Sequence, residues 1–159
     1  MLPHIYKVIE KDSGTLSVMA KPVAGEWIED EFSGLKRLGV DRVVSLLESD
    51  EEREVGLSSE RELCLDNDIE FSSFPIPDRG LPNSDKALNF ANAIYLDICS
   101  GKHIVIHCRA GIGRTGIMAG AVLRNFGFSA TDAFELISSK RGVRVPDTEE
   151  QEQWLGSLK

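Results

Sequence analysis

Two residues of this sequence are suited to covalent chemistry on an oxyanion. They are Cys108 and Arg114, separated by "RAGIG" within "HIVIHCRAGIGRTGIMAG" (103–120). A five-residue loop can curl so that its N–H groups point inward and form an anion-binding nest at a helix start. Gly111 and Gly113 permit the backbone angles such a curl needs. A field that holds an oxyanion also favours a thiolate over a thiol, which makes Cys108 a nucleophile. Arg114 closes the cradle with a planar, bidentate grip on a phosphoryl group. Arg109, Ala110, Gly111, Ile112, Gly113 and Arg114 then form the phosphate-binding loop.

Such a loop needs a strand to deliver it and a helix to anchor it. "HIVIH" (103–107) reads as a buried strand and 114–126 as a helix closed by Gly127. Upstream, 5–9 and 15–20 read as strands around the turn "KDSG". Residues 26–38 follow as a helix, 42–47 as a buried strand, 51–67 as a charged helix and 69–76 as a strand. Residues 83–100 form an amphipathic helix capped by Asn83 or Ser84, and 129–141 a helix capped by Ser129. A last helix after Pro146 opens at Asp147 or Thr148. This alternation predicts one α/β domain over 1–159, with a mostly parallel sheet of about five strands flanked by helices. In such sheets sites form beyond the carboxyl ends of strands, where Cys108 falls.

"GIGRTG" (111–116) also fits the dinucleotide fingerprint G-x-G-x-x-G. Too little chain follows for the further strands of that fold. The acidic residue expected about 20 positions on would be near Asp132, in a helix. Nor does the fingerprint employ Cys108 or Arg114. An ATP-type phosphate loop would need lysine where Arg114 stands.

"HCRAGIGRTG" resembles the His-Cys-x5-Arg-Ser/Thr-Gly signature of the protein tyrosine phosphatase superfamily. In a chain of 159 residues it is similar to the small dual-specificity-like members. The resemblance, which runs over roughly 5–158, implies a cysteinyl-phosphate intermediate and a general-acid aspartate on an upstream loop. "FPIPDRGLP" (74–82) resembles that loop, with Asp78 thirty positions before Cys108 and Pro77 in place. The family's tryptophan before the proline is absent, and Ile76 stands there. Asp85 is the fallback acid, although "SD" reads better as a helix start. "VPDTEEQEQW" resembles a segment in which a glutamine faces the active site, Gln151 or failing that Gln153. His107 is expected to hold the turn and support the thiolate, and Thr115 to donate to the departing thiolate. Arg109 either adds charge at the rim or faces solvent. Arg141 and Arg144 either flank the cleft or sit on the surface.

The implied activity is hydrolysis of phosphotyrosine, and of phosphoserine or phosphothreonine, on a phosphorylated protein or peptide. The alternatives are the same chemistry on phosphoinositides or another non-protein phosphate, and a phosphate-binding module with weak catalysis. A sulfurtransferase or arsenate reductase would share Cys-x5-Arg but lack the Asp78 loop. No metal or other cofactor is expected. The net charge of −8 argues against a nucleic-acid partner and against anionic membranes. A cytoplasmic monomer is the expectation. Cys64 and Cys99 are expected as small buried hydrophobes. The acidic runs 48–62 and 147–152 are expected as solvated helix faces and N-terminal turns.

Overall fold

The computed structural model describes residues 2–158. Strands β1 (Tyr6–Lys11) and β2 (Gly14–Met19) form an antiparallel hairpin. Its two-residue turn puts Asp12 and Ser13 at positive φ, the backbone that matches strand twist in tight hairpins. Strands β3 (Arg42–Ser45), β4 (Glu70–Ser73) and β5 (His103–His107) pair in parallel. The sheet order is β1-β2-β5-β3-β4, so β5 lies at the centre and its carboxyl end delivers Cys108. The sheet is mixed, mostly parallel and five-stranded, as the alternation predicts.

Both faces of β5 are buried, which is why "HIVIH" is apolar without alternating. Ile104 and Ile106 face a core built with α4 (Ser84–Cys99), α5 (Gly113–Asn125), α6 (Ala130–Arg141) and α7 (Glu149–Ser157). Val105 faces the opposite core, with α1 (Ile28–Arg37) and Leu63 and Cys64. Asn83, Ser129 and Thr148 cap their helices through side-chain oxygens.

The single charged helix expected over 51–67 is two helices, α2 (Ser49–Glu54) and α3 (Glu60–Asp66). Gly56 takes positive φ and ends the first, and the wholly buried Leu57 anchors the break in the core. Two short helices can each aim one carboxylate inward, which a single straight solvated helix would not do.

Candidate active site

Cys108 lies at the mouth of β5 and Gly113 opens α5, with the loop between them wrapped around a cavity of about 220 Å³. Gly111 has φ 74°, and a Cβ there would come within 2.4 Å of the Met19 carbonyl oxygen. Glycine is therefore required at that position. The loop's carbonyls are tied outward. Arg109 O accepts from Lys21 N at 3.0 Å, and Ala110 O and Gly111 O accept from Arg141 at 2.9 and 3.4 Å. Arg141 itself stacks on Tyr6, so it braces the loop from behind rather than flanking the cleft. Among the described residues, no N–H from Arg109 to Ile112 donates to a protein acceptor. Uncommitted donors in a tight loop before a helix are the kind that can form an anion nest. Ile112 packs its side chain on the core.

Arg114 is 2% exposed and reaches the cavity from α5. Its Nη1 and Nη2 donate to the two oxygens of Glu51 at 2.6 and 2.9 Å. Nη1 also donates to Ile76 O at 2.9 Å, and Nη2 to Asp78 Oδ1 at 3.3 Å. The Arg114 bond holds Glu51 below the usual carboxylate range, although burial opposes it. Burial disfavours the guanidinium charge, and Glu51, Cys108 and Asp78 together more than restore it. Among the described residues Nε of Arg114 donates to no protein acceptor, while Nη1 and Nη2 are each committed to two. The expectation of solvated acidic faces therefore fails at Glu51, which is only 12% exposed.

Asp78 sits on a tight turn in which Gly80 N donates to Pro77 O at 2.8 Å, and its carboxyl is 59% exposed. It lines the cavity with Arg79, Cys108, Arg109, Arg114 and Asp147, so the acid-loop residue and the cysteine share one site. Asp85 lies in the first turn of α4, away from the cavity lining. Arg109 points at neighbouring acids, with Glu54 at 3.0 Å and Glu51 at 3.9 Å, so its charge is largely compensated. Arg144 is 85% exposed beside Glu152.

His107 is fully buried. Its Nδ1 lies 3.1 Å from Cys108 O and its Nε2 2.6 Å from Glu60 Oε2. Glu60 is also buried, a second failure of the solvated-face expectation. The Thr115 hydroxyl is buried, and among the described residues it has no partner.

Gln151 does not face the cleft. It is wholly buried, accepts from Asp147 N and Thr148 N at 3.2 and 3.3 Å, and donates to Gly80 O at 3.3 Å. It joins the start of α7 to the Asp78 turn from behind. Gln153 pairs at the surface with Glu149. The neighbour that does line the cavity is Asp147, whose carboxylate lies against Gly113. Cys64 is buried as expected, whereas Cys99 is only partly covered. A larger hollow of about 810 Å³ beside α6 and α7 contains neither cysteine nor histidine.

A family model described as Tc-R-P, a polymorphic toxin system DSP-PTPase phosphatase, matches residues 17–127, well over half of the chain. The chain belongs to this phosphatase family. It is a phosphoric monoester hydrolase of the protein-tyrosine/dual-specificity class. The phosphatase is similar in structure to Tk-PTP in its active form, at 27% identity and TM-score 0.81, covering 99% of this chain and 97% of the other. A kinase associated phosphatase with its catalytic-site cysteine replaced by serine shares the fold, at TM-score 0.87 and 19% identity over 98% and 93% of the two chains. In sequence, 80 residues are 35% identical to an Arabidopsis thaliana protein. That protein is named phosphatidylinositol 3,4,5-trisphosphate 3-phosphatase and protein-tyrosine-phosphatase PTEN1. The match takes in 46% of this chain and spans about a fifth, 19%, of that relative.

Proposed function

We propose that this phosphatase hydrolyses phosphotyrosine, and also phosphoserine and phosphothreonine, on proteins through a cysteinyl-phosphate. The observation that carries the proposal is the convergence of Cys108, Arg114 and Asp78 on one cavity at the end of β5. The loop N–H groups and the Nε–Nη2 edge of Arg114 hold the phosphoryl oxygens, with Asp78 released from Nη2. Cys108 Sγ attacks phosphorus and the bond to the ester oxygen breaks. Asp78 gives that oxygen its proton. A water then attacks the cysteinyl-phosphate and loses a proton to Asp78, the S–P bond breaks, and thiolate and phosphate remain. Thr115, with an uncommitted hydroxyl, donates to the sulfur as it leaves. We place the activity in the cytoplasm, where three unpaired cysteines persist as thiols.

The charges at the mouth favour a protein monoester. Arg109 is occupied by Glu51 and Glu54, Asp147 adds negative charge, and the whole chain carries −8. A polyphosphorylated headgroup needs cations for each additional phosphate. A phosphoinositide reading has one observation in its favour: Arg79 lines the mouth, and among the described residues no carboxylate pairs with it. The name of the PTEN1 relative covers both substrate classes. The test is a panel of phosphopeptides and phosphoinositides assayed with wild type and with Asp78→Ala as a trapping variant. Turnover and trapping of phosphopeptides, with little of either for phosphoinositides, is the expected result. The reverse pattern overturns the protein assignment.

A further inference from the structure

Behind the nucleophile lies a buried pair that the steps above leave unused. His107 and Glu60 are 0% and 1% exposed and 2.6 Å apart. A neutral imidazole has one N–H and one bare nitrogen. Here both ring nitrogens face acceptors, the Cys108 carbonyl at Nδ1 and the Glu60 carboxylate at Nε2. Both contacts are hydrogen bonds only if the pair holds one proton more than a neutral histidine and a carboxylate. Glu60 finds no other partner among the described residues, since its Oε1 is buried and unbonded. A buried carboxylate is tolerated when a counter-charge accompanies it, and His107 is the group in contact.

We infer that Glu60 is a positioning residue for the nucleophile, holding His107 as an imidazolium whose Nδ1–H donates to the Cys108 carbonyl and whose charge favours the thiolate. The inference rests on the reading of Cys108 as nucleophile. The order along the chain of contacts sets its sign. The cationic ring stands between Glu60 and Cys108, so the positive end of the pair is turned toward the sulfur's residue.

The surrounding groups are compatible with this arrangement. Burial pulls His107 down, but the Glu60 charge and bond, with the Cys108 carbonyl and Glu52 adding to them, outweigh it and the net shift is upward. Glu52, from α2, is raised by burial and by Glu60, and its charge also pushes His107 up. Burial, then Glu60, push Cys64 up to about 12, which keeps it a thiol. Arg61 lies 5.0 Å from the Phe71 ring centroid, stacked away from any bond to the pair. The remaining neighbour is Cys108 itself.

The experiment is alkylation of Cys108 by iodoacetamide from pH 4.5 to 9, read by mass spectrometry, in wild type, Glu60→Gln, His107→Asn and the double variant. Glu60→Gln is expected to move the midpoint up by about one pH unit, an about tenfold slower reaction below the wild-type midpoint. The rate at pH 9 should not change. The double variant should match His107→Asn alone, because Glu60 acts through the ring. An unchanged midpoint in Glu60→Gln, or additive shifts in the double variant, overturns the inference. A wild-type midpoint in the range of ordinary thiols instead overturns the nucleophile reading. Ring ¹⁵N shifts of His107 in the wild type need no variant to fold. A doubly protonated ring at pH 7 is expected, and a neutral tautomer there refutes the pair's role.

Discussion

In the proposed reaction Cys108, Arg114 and Asp78 divide the work between them, and removal of Cys108 or of Asp78 should leave its own signature. Cys108→Ser is expected to abolish turnover of p-nitrophenyl phosphate while vanadate binding survives, because the N–H nest and Arg114 remain. Near wild-type turnover by that variant would rule out the covalent path. Asp78→Asn should show a leaving-group effect. An alkoxide from phosphoserine is strongly basic and needs a proton in the transition state, whereas p-nitrophenolate departs without one. The loss should be about 10²–10⁴-fold on phosphoserine peptides and much smaller on p-nitrophenyl phosphate. The basic limb of the pH profile should also flatten. Equal loss on both substrates, with the profile unchanged, would make Asp78 a turn residue whose bond to Arg114 at 3.3 Å is structural.

At the scale of elements, the loop between β5 and α5 depends on two glycines for different reasons. A Cβ on Gly111 would meet the Met19 and Ala20 backbone at 2.4 to 2.7 Å, with φ at 74°. Neither the β2 strand end nor the left-handed backbone can yield cheaply, since αL costs an ordinary residue about 1–2 kcal/mol before any clash. A Cβ on Gly113 would meet the Asp147 and Gln151 side chains at 2.7 and 3.0 Å, and side chains can move. Gly111→Ala should therefore lower Tm and phosphate affinity together. Gly113→Ala should fold nearly as well as wild type. Calorimetry and phosphate protection against alkylation compare the two, and a reversed order would refute this account of the loop. The break between α2 and α3 belongs to the same scale. It sends Glu51 to Arg114 and Glu60 to His107 from two directions.

Over the whole molecule, acid should act far from the site. Glu70 on the edge strand β4 accepts from Lys102 and Arg42, and these bonds lower it from 4.5 to about 2. Arg42 also reaches Asp97 on α4 at 2.7 Å, tying two parallel strands to a helix. A depressed carboxylate stabilises the fold above its unfolded value. That contribution is fully present above about pH 4.5 and is lost as pH falls through about 2. Half of the Glu70 side chain is exposed, so salt should weaken the effect. Glu70→Gln should reduce the fall in Tm between pH 5 and 2 in low salt. A parallel fall in both proteins would deny the network a role. His107 has the opposite sign. Its raised value stabilises the fold below about 6.5 and that part is lost as pH rises through the folded value.

The order of strands and helices, the anion-cradle loop and its cysteine and arginine are legible in the sequence alone. Each is encoded by neighbours within a few residues, as periodicity, caps and glycine placement. The partners of those residues are not local. Glu51 meets Arg114 across 63 positions and Glu60 meets His107 across 47. In the sequence both glutamates sit in a run of charge that reads as a wetted helix, because nothing nearby marks them as buried. Gly56 and Leu57 break that helix and the packing of α3 against the sheet turns Glu60 inward. The same holds for Gln151 and Asp147, four positions apart at the start of α7. The capping box draws the glutamine behind the loop and leaves the aspartate at the cavity. Which face of a charged segment meets the core depends on long-range packing, so only the tertiary structure decides it.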